Sequence, residues 1–213
     1  MSKVQISQLS PELQQMLKQC HRKRFDAKSL IMRAGEKSNN IYFILEGSVS
    51  VHAEDEDGHE LILDYIGPGY FVGELGLFLQ DSQRSARIRA RSECEVAYMA
   101  YPKFKELYQD NPALLLELTQ QIANRLLRTS RKVSNLAFMD VTGRIAHTLL
   151  ELASDTESIT HPDGKMIKIT REELGRLVNC SREVAGKVLK GLEEQGLIQI
   201  DGRRIVIHEP GGD

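Results

Sequence analysis

The sequence predicts an α+β fold: a β-roll or jelly-roll-like N-terminal domain, one long helix and a C-terminal winged helix-turn-helix. Three observations predict it. Short apolar runs of strand type, broken by turn residues, fill residues from about 28 to 100. A stretch free of glycine and proline then follows Pro112 and lasts until Gly143. After it come two short capped helices around a tight turn, with a hairpin behind them.

The composition suits this plan. A chain of 213 residues with 41% hydrophobic and 27% charged residues reads as a soluble globular protein with material for two small cores. The net charge of -2 points neither toward nor away from nucleic acid. Cys20, Cys94 and Cys180 are scattered, which suits a reducing cytosol and offers no zinc or iron–sulfur spacing, so no metal is expected. The N-terminus lacks a signal-peptide pattern, and no run approaches the ~20 apolar residues that span a bilayer. A cytoplasmic protein without a membrane partner is the expectation. Domains are expected at 1–110, 111–139 and 140–213.

Leu9, Leu13 and Leu17 sit at helical spacing near the N-terminus. Ile41 to Leu45 then meets the turn Glu46-Gly47, and Val49 to Val51 continues beyond it. Asp57-Gly58 before Leu61-Ile62-Leu63 is a hairpin signal. Gly67-Pro68-Gly69 is another turn, and Ile88 and Val96 mark later strands. Asn111-Pro112 offers an N-cap and a proline at the first helical position. A helix over 112–138 would be ~40 Å long. Along it Leu115, Ile122, Thr129 and Leu136 recur every seven residues, as do Thr119, Leu126 and Val133. This a/d seam predicts a parallel two-stranded coiled coil between two copies; the alternative is an amphipathic helix lying on its own β domain. Thr119 and Thr129 are polar breaks in the seam. Asp140 can cap a helix through Ala153, and residues 154–165 read as a loop with turn chemistry at His161-Pro162-Asp163-Gly164.

Thr170-Arg171-Glu172-Glu173 is a capping box, and Leu174, Leu177 and Val178 give its helix one apolar face. Asn179 stands at the sharp turn, where it tolerates a left-handed backbone. Ser181 caps a second helix that Gly196 ends. In that helix Ala185, Val188, Leu189 and Leu192 form the buried stripe, with Arg182, Glu183, Gly186, Lys187 and Lys190 opposite. Arg182 and Lys187 could donate to guanine, and Glu183 could accept from cytosine. Residues 198–207 supply a wing. From Met139 onward there are ten Lys/Arg against thirteen Asp/Glu, so the usual basic bias is missing. Phosphate attraction must come from a local patch containing Arg176, Arg182, Lys187, Lys190, Arg203 and Arg204.

The segment Phe71 to Phe78 with Arg84-Ser85-Ala86 carries the ligand chemistry. Gly73 and Gly76 allow close backbone approach, which suits an anion. Arg84 and Ser85 add a planar cation and a hydroxyl, as phosphate recognition needs. Glu74 offers an acceptor to a sugar hydroxyl, and a carboxylate so near a phosphate should have its own partner. Taken alone, G-E-x-G is more often a plain β-turn; Arg84-Ser85 and the polar seam threonine bring the two readings level.

FVGELGLF…RSA, LAFMDVTGRIA, THPDG, IKITREELGRLV and CSREVAGKVLK occur in order. From about His21 to Ile207 the chain resembles the cAMP receptor protein (catabolite activator protein) family of bacterial transcription regulators. The resemblance implies an N-terminal cyclic-nucleotide-binding domain, a dimerisation helix and a DNA-binding winged helix-turn-helix. It implies cAMP as allosteric ligand, held by Gly73, Glu74, Arg84, Ser85 and Thr129, with Ser130 reaching in from the partner subunit. It implies a homodimer on double-stranded, pseudo-palindromic DNA, with Arg171, Ser181, Arg182, Glu183, Lys187 and Lys190 at the DNA. It also implies contact with RNA polymerase through Thr160 and through His21, Lys23 and Lys103.

Two departures stand out. Lys187 replaces the arginine usual in the resembling protein and lacks its bidentate fork, and Asn179 replaces a glycine. Relatives that answer to cyclic di-GMP lose the Arg-Ser-Ala pattern that this chain keeps. The implied function is a cAMP-dependent global activator or repressor rather than an enzyme. The histidines at 21, 52, 59, 147, 161 and 208 show no metalloenzyme spacing. A nucleotide-binding module without DNA contact is the other alternative, and the winged-helix signals weigh against it.

Overall fold

A computed structural model describes residues 3–79, 83–154 and 158–208. The chain divides into two compact units: Met1–His59 with Leu63–Thr129, and Ser130–Asp213 with the short segment Glu60–Ile62.

The first unit is a β-roll with helices on one side. Helix α1 (Pro11–Lys18) starts at Ser10, whose hydroxyl accepts from the Leu13 amide, and buries Leu13, Met16 and Leu17. Strands β1 (His21–Phe25), β8 (Cys94–Ala100), β3 (Asn40–Glu46) and β6 (Phe71–Val72) form one sheet in the order β1-β8-β3-β6. Strands β2 (Leu30–Met32), β7 (Arg87–Ala90), β4 (Val49–Glu54) and β5 (Glu60–Ile66) form the other, in the order β2-β7-β4-β5. The apolar run in β3 has two destinations, which explains why it does not alternate. Ile41, Phe43 and Leu45 join a cluster with α1 and with Leu114 and Leu118. Ile44 joins Val49, Ile66, Ile88 and Val96 between the sheets. Phe43, Phe71 and Phe104 meet edge to face in series, with centroids 4.9 and 5.8 Å apart.

Helix α2 (Tyr101–Asp110) was not foreseen from sequence. Asn111 ends it and directly precedes Pro112, the first residue of the next helix; its carbonyl accepts from the Leu114 amide. Helix α3 (Pro112–Phe138) has the expected bounds and 27 residues. Its buried side chains are Leu114 and Leu118. The far part of its apolar stripe is exposed, with Leu126 66% and Val133 61% accessible.

In the second unit, Asp140 caps helix α4 (Val141–Ala153) by accepting from the Gly143 amide at 2.8 Å. The stretch expected to be a loop is partly sheet. Strands β9 (Ile159–His161) and β10 (Gly164–Lys168) pair antiparallel, and the order β11-β12-β10-β9 joins them to the wing strands β11 (Ile198–Asp201) and β12 (Arg204–His208). Residues 155–157 of that loop lie outside the described residues. Two short strands hidden between turn residues leave too little periodicity to read.

Helices α5 (Arg171–Val178) and α6 (Arg182–Glu194) begin at Thr170 and Ser181, which accept from the Glu173 and Val184 amides. Asn179 is left-handed, with φ 56° and ψ 63°. Leu174, Leu177, Val178, Ala185, Leu189 and Leu192 are buried. Val188 and Gly186 are half-buried, so Gly186 flanks the helix rather than lying on its exposed face.

The turn is tight because the chain returns onto Gly175. The Cys180 amide donates to the Gly175 carbonyl at 3.0 Å, and a Cβ on Gly175 would stand 2.5 Å from the Cys180 carbonyl oxygen. Gly175→Ala should therefore destabilise the second unit by about 2 kcal/mol, despite alanine's better helix propensity. Thermal unfolding followed by circular dichroism checks this; a raised midpoint would contradict it.

Candidate nucleotide site and DNA-reading face

The nucleotide candidates converge where β6 ends. Gly73 has φ 74°, and a Cβ there would run into the Arg84 guanidinium and stand 2.9 Å from the Met32 methyl. A Cβ on Gly76 would stand 2.5 Å from both the Ser38 and Tyr101 hydroxyls. Both glycines are thus required by space, the first also by backbone conformation. Between them Glu74 leads into a 3-10 turn, Leu75–Leu77.

Arg84 is fixed at both ends. Its amide donates to the Glu36 carbonyl at 2.8 Å, and its carbonyl accepts from Gly35 at 2.9 Å. Its Nη1 donates to the Gly73 carbonyl at 2.9 Å and to the Tyr101 hydroxyl at 3.1 Å; its Nη2 donates to the Asn40 carbonyl at 2.8 Å. Tyr101 in turn donates to the Gly73 carbonyl at 2.5 Å and is bonded to Ser38. The guanidinium centre lies 5.7 Å from the Tyr42 ring. Burial pushes the Tyr42 phenol up, against the pull of Arg84. Among the described residues every hydrogen-bond acceptor of Arg84 is neutral, so its charge keeps its pull on an anion. Ser85 is exposed beside it.

Glu74 is 5% exposed and does have its own partner. Arg125 of α3 donates from Nη1 to Glu74 Oε1 at 2.7 Å and from Nη2 to the Phe71 carbonyl at 2.7 Å. Gln121, one turn earlier, accepts from the Phe71 amide at 2.8 Å and donates to the Gly69 carbonyl at 3.0 Å. Thr129, one turn later and exposed, donates its hydroxyl to the Arg125 carbonyl at 2.9 Å. Gly73, Glu74 and Arg84 are therefore directly linked, and Thr129 is joined to them through Arg125. Ser130 follows, exposed, on the same helix.

Sequence reasoning missed Arg125, Tyr101, Asn40 and Gln121. Arg125 was within reach: it lies four residues before Thr129, on the same helix face, and Glu74 needed a cation. Nothing in the sequence marked Tyr101.

The second unit carries the DNA candidates. Arg171, Ser181, Arg182, Glu183, Lys187 and Lys190 are all exposed. A Cβ on Gly186 would lie 3.5 Å from Arg171 Cδ, so the first residue of α5 reaches along α6. Hydrogen bonds from its own amide and from the Ser181 hydroxyl hold the Glu183 carboxyl below the usual range. It is an acceptor at neutral pH. The wider cationic patch is weaker than its residue count. Arg176 pairs with Glu172 at 2.8 Å, Lys190 with Glu194 at 3.6 Å and Arg204 with Asp201 at 4.0 Å.

The remaining candidates are spread out. Thr160 lies on β9, not in a loop, and accepts from Lys165 Nζ at 3.4 Å. His21 and Lys23 lie on β1, two residues apart and so on one face. The His21 ring stands 5.6 Å from Tyr98, and Lys23 Nζ stands 4.8 Å over Phe25. Lys103, on α2, pairs with Glu106 at 3.2 Å.

Comparison with known proteins agrees with this division. The family model for the cyclic nucleotide-binding domain matches residues 22–111, and that for the Crp-like helix-turn-helix domain matches residues 143–212. The chain is 52% identical over 200 residues to the cAMP-activated global transcriptional regulator CRP of Pasteurella multocida, covering 94% of this chain and 96% of that one. The chain belongs to the CRP/FNR family.

Other CRP/FNR relatives bracket it. The cAMP-activated global transcriptional regulator Vfr of Pseudomonas aeruginosa is 51% identical over 92% of both chains. Among solved structures, the cyclic di-GMP-responsive global regulator CLP of Xanthomonas campestris superposes with a TM-score of 0.89 at 40% identity, covering 94% of this chain and 100% of that one. The mixed α/β architecture predicted from sequence is thus that of the family. No helix among the described residues is long and apolar enough to cross a membrane.

Proposed function

We propose that this CRP/FNR-family chain is a cAMP-dependent transcription regulator, cytoplasmic and without enzymatic activity, that binds pseudo-palindromic DNA as a homodimer. The observation that carries the ligand reading is Arg84: a guanidinium held by neutral acceptors, beside a glycine whose missing Cβ leaves it room. The cyclic phosphate takes Arg84 and Ser85, with the Gly73 backbone alongside. The ribose 2′-hydroxyl donates to Glu74, which the hydrogen bond from Arg125 holds in place. The adenine edge meets Thr129 and, from the partner subunit, the second copy of Ser130.

Thr129 favours adenine over guanine because of where its proton is committed. Its hydroxyl proton is given to the Arg125 carbonyl, so what it offers a ligand is a lone pair. The adenine amino group can donate to it, whereas the guanine keto oxygen cannot.

The exposed stripe on α3 supports the dimer. A second copy laid along Leu126 and Val133 would bury both and bring Ser130 to the partner's site. On DNA, Arg171 and Ser181 hold phosphates, Arg182, Glu183 and Lys187 read base edges, and Lys190 adds charge. Contact with RNA polymerase through Thr160 and through His21, Lys23 and Lys103 rests on family resemblance and on their exposure. The domains run 1–110, 111–139 and 140–213, with the residues around Asp140 as the hinge.

A second reading, cyclic di-GMP, has the Xanthomonas relative in its favour. Calorimetry with cAMP, cGMP and cyclic di-GMP decides between them. Tight binding of cAMP with weaker cGMP is expected; binding of cyclic di-GMP alone would transfer the chain to the other reading.

A further inference from the structure

Glu74 and Arg125 do not stand alone. Three residues on from Arg125, Arg128 projects from the same side of α3, and between the two arginines lies Asp64 of β5. Arg128 Nη2 donates to Asp64 Oδ2 at 2.7 Å, and the Arg125 Nε lies 4.0 Å from that same oxygen. Both Asp64 and Arg125 are largely buried, with side chains 19% and 21% exposed, while Arg128 is 46% exposed. The Arg125 Nε is buried and has no hydrogen-bond partner among the described residues. Its two other nitrogens are committed, to Glu74 and to the Phe71 carbonyl.

We propose that Asp64 is a positioning residue of the nucleotide site, holding Arg125 against Glu74 with a charge that it shares with Arg128. The inference rests on the reading of Glu74 as the ribose-hydroxyl acceptor. Two like charges three residues apart on a helix repel each other. Asp64 offsets that repulsion and draws the free edge of the Arg125 guanidinium toward β5. Arg125 is thereby set on a third side, and Glu74, which it grips at 2.7 Å, is fixed with it. Without the Asp64 charge, Arg128 would press on Arg125, and the Glu74 carboxylate would lose the rigid donor that aims it. Arg128 is a competitor here, since it takes the good hydrogen bond and leaves Arg125 the long contact.

This differs from a simple tie between helix and sheet. A tie would need Asp64 and Arg128 equally. A positioning role makes their removal act in opposite directions, because Asp64 freed from Arg128 turns wholly to the Arg125 Nε.

The test measures the affinity of the full-length protein for cAMP and for 2′-deoxy-cAMP, which lacks the hydroxyl that Glu74 would accept. Asp64→Asn preserves shape and removes charge. It should weaken cAMP roughly fivefold while changing 2′-deoxy-cAMP by less than about twofold. Asp64→Glu should recover part of the loss. Arg128→Gln should bind cAMP at least as tightly as the wild type. Equal losses of both nucleotides in Asp64→Asn, or a loss in Arg128→Gln matching that of Asp64→Asn, would overturn the role of Asp64 alone. A wild-type protein that does not distinguish the two nucleotides would instead overturn the ribose role of Glu74, and this proposal with it. Should Asp64→Asn fail to fold, Arg128→Gln carries the test: tighter cAMP binding than the wild type is then expected, and unchanged or weaker binding overturns the role of Asp64.

Discussion

Arg84→Leu is expected to weaken cAMP binding by about 100-fold or more, the loss of two charge-assisted hydrogen bonds to an anion at ~1.5 kcal/mol each. The expectation comes from how Arg84 is held. Its acceptors are the Gly73 and Asn40 carbonyls and the Tyr101 hydroxyl, all neutral, so no carboxylate among the described residues competes with a phosphate for it. The leucine also strips the Asn40 carbonyl of this donor, at a cost of about 1–3 kcal/mol in stability. A melting curve must therefore accompany the calorimetry, and binding is to be measured well below the midpoint. Arg84→Lys separates charge from geometry. Lysine keeps the cation but cannot serve two carbonyls and a phosphate through a planar fork, so an intermediate loss of about tenfold is expected. Unchanged cAMP affinity in a folded Arg84→Leu protein would remove Arg84 from the site.

Leu126→Glu is expected to convert the proposed dimer to monomer at micromolar concentration and to abolish tight operator binding. Leu126 is 66% exposed in one chain, and it lies seven residues before Val133, which is 61% exposed. Burying a leucine contributes ~1.5–3 kcal/mol, and the dimer's symmetry counts each substitution twice. The glutamate adds the cost of placing two like charges across a seam. A loss of at least about 100-fold in the dimerisation constant follows. Sedimentation equilibrium reads this directly. DNA affinity should fall with it, because one recognition helix alone engages one half-site. A Leu126→Glu protein that stays dimeric would place the interface elsewhere.

Much of this was legible in the residues, because the signals were local. Proline at the start of α3 and the absence of glycine and proline after it fix the helix; Thr170, Asn179, Ser181 and Gly196 fix the helix-turn-helix. Each is a decision made within a few residues of chain. The Arg84–Gly73 pairing was half legible: both residues were singled out, but the Tyr101 hydroxyl that bonds them lies on a helix the sequence did not reveal. Asp64 was silent for a similar reason, and Arg125 was marked only by its spacing from Thr129. Each is an ordinary charged residue in its own segment, and they come together only when β5, β6 and α3 meet. The β9–β10 hairpin was missed because three- and five-residue strands carry almost no period.

The most direct test of the central claim is the affinity for DNA as a function of cAMP. The DNA would be a pseudo-palindromic duplex, selected from the organism's genome for binding and carrying half-sites ~34 Å apart. Fluorescence anisotropy should show binding tightened at least about tenfold by saturating cAMP, and by cGMP far less. DNA affinity that cAMP leaves unchanged, in a protein that binds the nucleotide, would contradict the account.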